Sequence, residues 1–380
     1  PPALRSVASV APAASLAPQI ATLAPLLPPE IVAAGATAQM LRAAATVFPA
    51  SGIGFEARLD GDPADVDLCV RVIPEDRSAA ILGGWHPRHK LSTPLAADPY
   101  WQRLARLTRL LWAEEDMLLR PFVQRLGLEL DKADLDGACA RPSIVFFDLP
   151  DTAAAHSAGL VRTLTDIVLP LALERSLPGR QRQLIAAAVA AAAPFARLRH
   201  IGASMTRPDP AVRLVFGLPL AQVGACLAAL GYGARAHPIG TGTRMISGGL
   251  DPVALQIDVT EGLGPRIGIE FHASRGADWM AMLQRLVRHR LCNPERAIAL
   301  AGWQRAPQEL QSPDRSAYAS RIPDDAADLG EGLPVRLLNH VKVSFLPDGS
   351  LSAKIYLYAG FVWRRVETAT QVPALARART

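Results

Sequence analysis

Apolar and polar residues alternate along five pairs of short segments between residues 53 and 358. Apolar side chains at every second position are typical of β-strands whose two faces meet different surroundings. Most pairs are joined by Gly, Pro, Asp or Ser residues that favour turns. The predicted pairs are Ile53–Leu59 with Val66–Val72, Leu126–Leu130 with Ser143–Asp148, Arg199–Met205 with Ala211–Phe216, Leu255–Thr260 with Arg266–Phe271, and a last hairpin over Asn339–Tyr358. The pattern therefore predicts five antiparallel hairpins.

Segments with apolar residues at helical spacing separate these hairpins. Helices are predicted over Asp98–Leu119, Ala158–Leu173, Arg180–Ala193, Leu220–Leu230, Asp278–Arg290 and Pro294–Trp303. Antiparallel strand pairs between helices exclude a doubly wound parallel sheet, because that fold alternates single strands with single helices.

The two faces of the predicted strands suggest how the sheet is arranged. Helices must cover the apolar face, where burial stabilises the fold by about 25 cal/mol per Å². If all five hairpins belong to one sheet, closing it leaves the polar face lining a lumen. We therefore predict an α+β fold, a closed antiparallel β-barrel of about ten strands with a polar lumen, surrounded by helices in repeated α-β-β-α units. An open sheet with one wet face would show the same alternation and remains an alternative.

Length and composition favour one large folded unit. Half of the 380 residues are apolar, which is enough for a sizeable core. We expect a single barrel over residues 31–363, an Ala/Pro-rich segment 1–30 that is flexible or loosely packed, and a C-terminal tail 364–380. Prolines interrupt the first 30 residues, so a secretory signal is not expected. The Ala-rich run Leu184–Ala193 is too short to span a bilayer, and we expect a cytoplasmic protein.

Charge and cysteine usage exclude several functions. The net charge is +5, but the basic residues are scattered and only 6% of residues are aromatic, so nucleic acid is not indicated as a partner. Cys69, Cys139, Cys226 and Cys292 lie far apart without a CxxC pattern. We expect reduced, mostly buried thiols and no zinc site formed by them.

The last hairpin carries two of the four lysines in the chain. Alternation places Lys342 and Lys354 on one polar face together with His340, Tyr356 and Tyr358. Arginine outnumbers lysine about nine to one in this sequence, so paired lysines indicate a specific use. The alternative is that this face simply meets water.

The helix, strand, strand, helix plan resembles the ABBA-type (PT-barrel) aromatic prenyltransferases, whose ten-stranded barrel carries helices outside and substrates within. The stretch Gly54–Leu59, with Val70–Glu75, resembles the first hairpin of the fungal indole prenyltransferases. Lys354-Ile355-Tyr356 is similar to their Lys-x-Tyr strand motif, which that family repeats on several strands and which occurs once here. The run Ile53–Gly61 also resembles the cyanobactin peptide prenyltransferases.

The resemblance implies transfer of an allyl group from a prenyl diphosphate to an electron-rich aromatic acceptor, tryptophan or an indole, free or within a peptide. By analogy, Glu56 would hold the indole N–H, while Arg71, Lys354 and Tyr356 would bind diphosphate. No cofactor and no metal site are implied beyond the co-substrate, with Mg²⁺ at most stimulating the reaction. No nucleic acid or membrane partner is expected.

Such a transfer needs cations for the leaving diphosphate, a carboxylate for the acceptor and aromatic faces beside the carbocation. The candidate carboxylates are Glu56 and, second, Glu270. The candidates for binding diphosphate and shielding the cation are Arg58, Arg71, Arg213, Lys342, Lys354, Tyr356 and Tyr358. Further lumen candidates are His200, Gln256, His272 and His340. The charges could instead pair with one another across strands, as Glu56 and Arg71 could.

Two other functions fit the same residues. The same barrel could bind a small anionic ligand or a peptide without chemistry, or Glu270, His272 and His340 could perform unrelated acid–base catalysis.

Three further patterns favour structural roles. Asp324–Asp328 matches a DDxxD pattern but lies in a Pro/Gly-rich region and is interpreted as a solvated loop. Gly240-Thr-Gly242 opens no evident helix, and His86 and His89 lack a third ligand.

Overall fold

The computed structural model describes residues 15–50, 52–74, 77–113, 119–137, 139–150, 158–206, 211–273, 276–303, 318–319 and 329–365. The strands are β1 (Gly52–Arg58), β2 (Val66–Val72), β3 (Arg125–Leu130), β4 (Ile144–Asp148), β5 (Arg197–Ser204), β6 (Val212–Leu218), β7 (Val253–Val259), β8 (Leu263–Phe271), β9 (Tyr318–Ala319), β10 (Leu329–Phe345) and β11 (Leu351–Arg365). All five predicted hairpins are present as antiparallel strand pairs.

The helices are α1 (Ala17–Leu23), α2 (Ala34–Ala44), α3 (Arg77–Gly83), α4 (Thr93–Ala97), α5 (Pro99–Trp112), α6 (Ala158–Thr163), α7 (Leu169–Leu173), α8 (Gly179–Ala192), α9 (Val223–Ala229), α10 (Ala236–Ser247), α11 (Gly276–Arg288) and α12 (Pro294–Ala301). A single π-helical turn, Leu164–Val168, joins α6 to α7. Helix α5 begins where Asp98 accepts the backbone N–H groups of Tyr100 and Trp101, with Pro99 in the first turn.

Ten of the strands close into a barrel. Strands β1 to β8 follow one another around the sheet in chain order, β10 and β11 come next, and β11 pairs with β1. In this closing pair Glu56 lies opposite Tyr356, and Arg58 lies opposite Lys354. The short β9 pairs with β11. The predicted closed antiparallel barrel is confirmed, and the open sheet with one wet face is excluded.

The hydrophobic core lies between the outer wall of the barrel and the helices. Outward side chains such as Phe55, Phe216 and Phe271 are buried, as alternation predicts. Trp101 of α5 packs edge-on against Phe48, with ring centroids 6.0 Å apart. Its indole N–H donates to the carbonyl of residue 140 at 2.9 Å, so burial of this large ring leaves no polar atom unsatisfied.

Some elements differ from the sequence-based expectations. Helix α1 lies within the segment 1–30, yet Ile20 and Leu23 are buried in the core, so loose packing does not extend to this helix. Helix α10 was not predicted, because its Pro and Gly residues have low helix propensity. A Cβ at Gly240 would lie 3.1 Å from the Cα of Gly224, so the glycines allow close packing of α10 on α9. Gly240-Thr-Gly242 is therefore helical and forms no phosphate loop.

Two sequence expectations concern residues that the structure does not describe. Asp324–Asp328 lies outside the described ranges, as does the tail beyond Arg365. Among the residues that are described, no helix combines the length and apolar character needed to cross a bilayer. The four cysteines are free thiols, as expected.

Arg296 connects the helical layer to the first hairpin. This buried side chain on α12 donates to the carbonyl oxygens of Arg58 at 2.6 Å and Gly61 at 2.5 Å. We predict that Arg296→Met lowers the free energy of unfolding by about 1.5–3 kcal/mol per charged hydrogen bond lost. Chemical denaturation would measure the loss. Arg288→Met, at an exposed position of α11, is the matched control, and equal losses in both variants would contradict the prediction.

Candidate active site

The inner faces of the ten strands enclose a cavity of about 1020 Å³. Nine of the predicted site residues line it: Arg71, His200, Gln256, Glu270, His272, His340, Lys342, Tyr356 and Tyr358. A smaller space of about 60 Å³ continues toward the other end of the barrel and is lined by Glu56, Arg213 and Lys354, sharing Gln256 and Lys342 with the large cavity. The structure thus gathers these residues in one lumen. Arg58 lies outside both spaces, at an exposed ion pair with Asp65.

Several glycines on the inner wall of the barrel leave room for neighbouring side chains. A Cβ at Gly52 would lie 2.8 Å from the ring of Tyr358, and one at Gly268 would lie 3.0 Å from the amide of Gln256. A Cβ at Gly202 would similarly meet the ring of Phe146 at 3.0 Å. Side chains at these positions would occupy the space into which the polar residues project, so the glycines are part of the site.

A buried ion pair lies at the seam between β1 and β11. Lys354 donates to Glu56, whose side chain is 1% exposed, and approaches Asp67 at 3.7 Å. Burial alone would raise the pKa of Glu56, but the charges of Lys342 and Lys354, with a smaller contribution from Tyr356, lower that pKa to about 2. Glu56 is therefore an ionised carboxylate of low basicity at neutral pH. Its partner is Lys354 and not Arg71, which the register places opposite Gly52.

Arg213 is also paired with a carboxylate. Its guanidinium donates two hydrogen bonds to the two carboxylate oxygens of Asp258, at 2.8 and 3.3 Å, in a bidentate geometry. The same group lies 6.0 Å from the ring centroid of Phe146. Because this pair is largely buried, the arginine is held on the wall of the lumen and its charge is compensated locally.

Arg71 and Lys342 are the two predicted cations without a carboxylate within 4 Å among the described residues. Each lies over a tyrosine ring, Arg71 at 5.0 Å from the centroid of Tyr358 and Lys342 at 5.3 Å from that of Tyr356. Burial lowers the pKa of Lys342, since the ammonium group is poorly solvated. An anion in the cavity would approach both side chains directly, because no described carboxylate lies within 4 Å of either one.

Two carboxyl groups that the sequence did not single out lie beside the buried ion pair. Burial, followed by the charge of Glu56, raises the pKa of Glu129 to about 7. The same two causes raise the pKa of Asp67 to about 6, although Asp67 accepts the backbone N–H of Lys132 at 2.8 Å. Glu129 lines both spaces of the lumen. A carboxyl group that titrates near neutral pH can accept or donate a proton there.

His200 belongs to a separate network on the opposite wall. Its Nδ1 lies 2.6 Å from Asp148, which also accepts from Arg125. Burial would raise the pKa of Asp148, but the hydrogen bond and charge of His200, followed by Arg125, keep that pKa low. The network orients His200 and fixes the charge of the carboxylate.

Glu270, His272 and His340 form a third cluster. The Nε2 atom of His272 lies 3.8 Å from Glu270, and the rings of His272 and His340 are 5.0 Å apart. Burial lowers the pKa of His340 to about 3, so this imidazole is neutral at neutral pH. Burial would raise the pKa of Glu270, but His340, His272 and Lys342 lower it. Among the described residues, this is the group of His, Cys, Asp or Glu side chains that could hold a metal ion.

Sequence reasoning missed Glu129 for an identifiable reason. The run Leu128-Glu129-Leu130 places a carboxyl between apolar residues in a short strand whose polar face was not otherwise marked. The available signal was the alternation itself, since Gly127 and Glu129 share the inward face. Chemically, the lumen combines two cations without a carboxylate within 4 Å among the described residues, two tyrosine rings, and one carboxyl group able to exchange a proton.

The buried ion pair leads to a stability prediction. Lys354→Met would leave the carboxylate of Glu56 buried without its partner, and breaking such a pair costs about 3–5 kcal/mol. We expect the double variant Glu56→Gln/Lys354→Met to recover much of that loss, as measured by chemical denaturation. Arg182→Met, which breaks an exposed pair with Asp166, should cost under about 1 kcal/mol. A double variant less stable than Lys354→Met would contradict the pairing.

The raised pKa of Glu129 leads to a prediction about pH. Its ordinary pKa is 4.5, so between pH 4.5 and about 7 the folded protein binds a proton that the unfolded chain has released. Stability contributed by this group therefore falls as pH rises through that window. In the wild type, this effect should lower the free energy of unfolding by on the order of 3 kcal/mol across that window, at about 1.4 kcal/mol per pKa unit. Glu129→Gln should remove this decline. Denaturation curves at pH 4.5 and 7.5 test this, and an unchanged slope in the variant would contradict it.

No protein-family model matches the chain, and no curated protein matches it. Similar solved structures include the following three. AnaPT from Neosartorya fischeri is 10% identical with a TM-score of 0.44, over 81% of this chain and 76% of that one. NotF prenyltransferase is 12% identical with a TM-score of 0.44, over 80% and 79%. A structure described as 6-dimethylallyl tryptophan synthase is 16% identical with a TM-score of 0.43, over 80% of each chain. The strand pairings themselves establish the closed ten-stranded barrel with outer helices, which is the fold that the resemblance to ABBA-type prenyltransferases implied.

Proposed function

We propose that this protein transfers an allyl group from a prenyl diphosphate to an electron-rich aromatic acceptor, tryptophan or an indole, free or within a peptide. The observation that carries the proposal is that Arg71 and Lys342, two cations without a carboxylate within 4 Å among the described residues, lie over two tyrosine rings inside one cavity of about 1020 Å³. A cavity of this size is at the upper end of small-molecule sites, as a site for a donor and an acceptor together would need.

The proposed reaction breaks the bond between the allyl carbon and the diphosphate oxygen, whose electron pair leaves with diphosphate. The allyl carbon then bonds to a ring carbon of the acceptor, and that ring carbon loses its proton to a base. Cations that already point at the developing negative charge favour bond breaking, because they need no reorganisation during the reaction. No step requires a metal ion, since protein cations meet the charge of the leaving group.

Arg71 and Lys342 are the residues to which we assign the diphosphate. Arg71 is suited to bidentate contact with phosphate oxygens. The ammonium group of Lys342 is poorly solvated, so an anion beside it would stabilise its positive charge. The rings of Tyr356 and Tyr358 lie beside these cations and would shield an allyl cation from water. Lys354 and Arg213, which sequence reasoning also assigned to diphosphate, would contribute at longer range because carboxylates already compensate them.

The two buried carboxyl groups suit different steps. Glu56, with a pKa of about 2, suits holding a ring N–H or stabilising positive charge on the acceptor, and it is a poor proton acceptor. Glu129, with a pKa of about 7, is the better base for the ring proton. We therefore assign orientation to Glu56 and proton removal to Glu129.

A binding protein on the same barrel is the alternative, and one observation favours it. Carboxylates compensate Lys354 and Arg213, which leaves fewer free cations for a diphosphate than the sequence indicated. Such a protein would bind a small anion or a peptide and would form no product.

The test is incubation of the protein with dimethylallyl or geranyl diphosphate and a panel of indoles, tryptophan and tryptophan-containing peptides, followed by mass spectrometry. We expect a product heavier by one allyl group. Glu129→Gln should lower turnover by roughly 10²–10⁴-fold with little change in pyrophosphate affinity. Arg71→Ala should weaken pyrophosphate binding in calorimetry by about 1.5–3 kcal/mol.

Arg288→Ala, exposed on α11, is the matched control for the arginine. Pyrophosphate binding that Arg71→Ala weakens, without product from any acceptor, would favour the binding protein. Binding unaffected by Arg71→Ala would contradict the assigned diphosphate site.

A further inference from the structure

One wall of the lumen brings together three side chains that are common metal ligands. Glu270 and His272 lie two positions apart on and just beyond β8, so alternation directs both inward. His340 lies on the neighbouring β10, where Val341 pairs with Phe271 and Lys342 pairs with Glu270. One ligand atom from each of the three residues lies within 4.8 Å of the other two.

The two ring nitrogens of half-buried His340 lack the partners that shielded imidazole nitrogens normally have. Neither of its ring nitrogens has a hydrogen-bond partner, although both are shielded from solvent. Its ring stacks on Tyr356 at 3.9 Å between centroids, with an interplanar angle of 21°. A bulge in β10 precedes it, between Leu338 and His340. Bulges often change the direction of a side chain near an active site. The backbone and the tyrosine thus hold an imidazole whose lone pair has no partner.

The donor set has a definite chemical preference. Two imidazoles and one carboxylate are the ligands of catalytic zinc sites and of the facial triad that binds Fe²⁺. With metal–ligand distances of about 2.0–2.2 Å, three tetrahedral ligand atoms lie roughly 3.4 Å apart. The 3.8 Å between Glu270 and His272 is close to this, and small side-chain rotations would close the remainder. A histidine binds a metal through a ring nitrogen that carries a free lone pair, and both ring nitrogens of His340 lack a hydrogen-bond partner.

We propose that Glu270, His272 and His340 bind one divalent transition-metal ion, such as Zn²⁺, on the wall of the lumen. Three protein ligands leave at least one coordination position open to the large cavity, where water or an anionic oxygen would complete the shell. The side chain of His272 is 49% exposed, so an ion can reach the site from solvent. This site is independent of the proposed prenyl transfer.

The charges facing the cluster are mixed. Lys342 contributes a positive charge, and Glu56 contributes a negative one at longer range. The carboxylate of Glu270, whose residue pairs with Lys342 across the two strands, offsets this positive charge. The net effect favours an ion that gains strong bonds to imidazole over one bound by charge alone. We therefore expect Zn²⁺ or Co²⁺ to bind and Mg²⁺ to bind weakly.

The experiment uses the full chain, purified without a histidine tag and treated with a chelator. Zn²⁺ binding is measured by titration calorimetry, and Co²⁺ by its visible absorption, whose intensity distinguishes a low-coordinate site from the hydrated ion. We expect one equivalent of either ion to bind, and Zn²⁺ to raise the melting temperature. His272→Ala, a substitution at a half-exposed position, should weaken affinity by more than the roughly 10- to 100-fold that loss of an outer-shell partner costs.

His89→Ala is the matched control, because His86 and His89 form another close imidazole pair, with centroids 4.9 Å apart. In that pair, His86 Nδ1 already accepts the backbone N–H groups of Arg88 and His89. Binding lost in His272→Ala and Glu270→Gln but kept in His89→Ala would support the site, whatever the outcome of the prenyl-transfer assay. Equal binding in wild type and His272→Ala, or no Co²⁺ absorption above that of the free ion, would overturn it.

Discussion

The lumen depends on how charges removed from water compensate one another. Closing the sheet places the polar face of every strand around one enclosed space, where electrostatic interactions are stronger than in solvent and an unpaired charge is costly. Glu56 with Lys354, and Arg213 with Asp258, meet this constraint by direct pairing. Such pairs contribute little net stability relative to a well-packed apolar wall. Their effect is to fix where positive and negative potential lie.

The same constraint separates the roles of chemically identical groups. Glu56 and Glu129 are both buried glutamates, but the lysines beside Glu56 keep it ionised, while burial and then the charge of Glu56 raise the pKa of Glu129 to about 7. One carboxyl is therefore a permanent charge and the other a proton acceptor near neutral pH. A neighbouring pair of groups whose pKa values are driven apart is a recurrent basis for acid–base division of labour.

Much of the fold could be predicted from the sequence, because alternation is a local signal. The hairpins and the inward direction of residues such as Arg71 and Lys342 follow from side-chain period alone. Closure could not be derived that way, since an open sheet with one wet face has the same pattern. It depends on pairing between β1 and β11, and this register joins Glu56 to Lys354 instead of Arg71. Helix α10 was missed because close packing, not propensity, accounts for its glycines.

The seam between the first and last strands of the barrel also bears on how the molecule forms. Glu56 and Lys354 are separated by 298 positions in the chain. At a synthesis rate of about 5–20 residues per second, β11 would leave the ribosome roughly 15–60 s after β1. During that interval β1 has an unpaired edge, which is a hazard for association with other chains, and Glu56 has no partner. Strand β11 therefore has two effects when it pairs with β1. It closes the barrel, and it covers the strand edge and the carboxylate that were exposed until then.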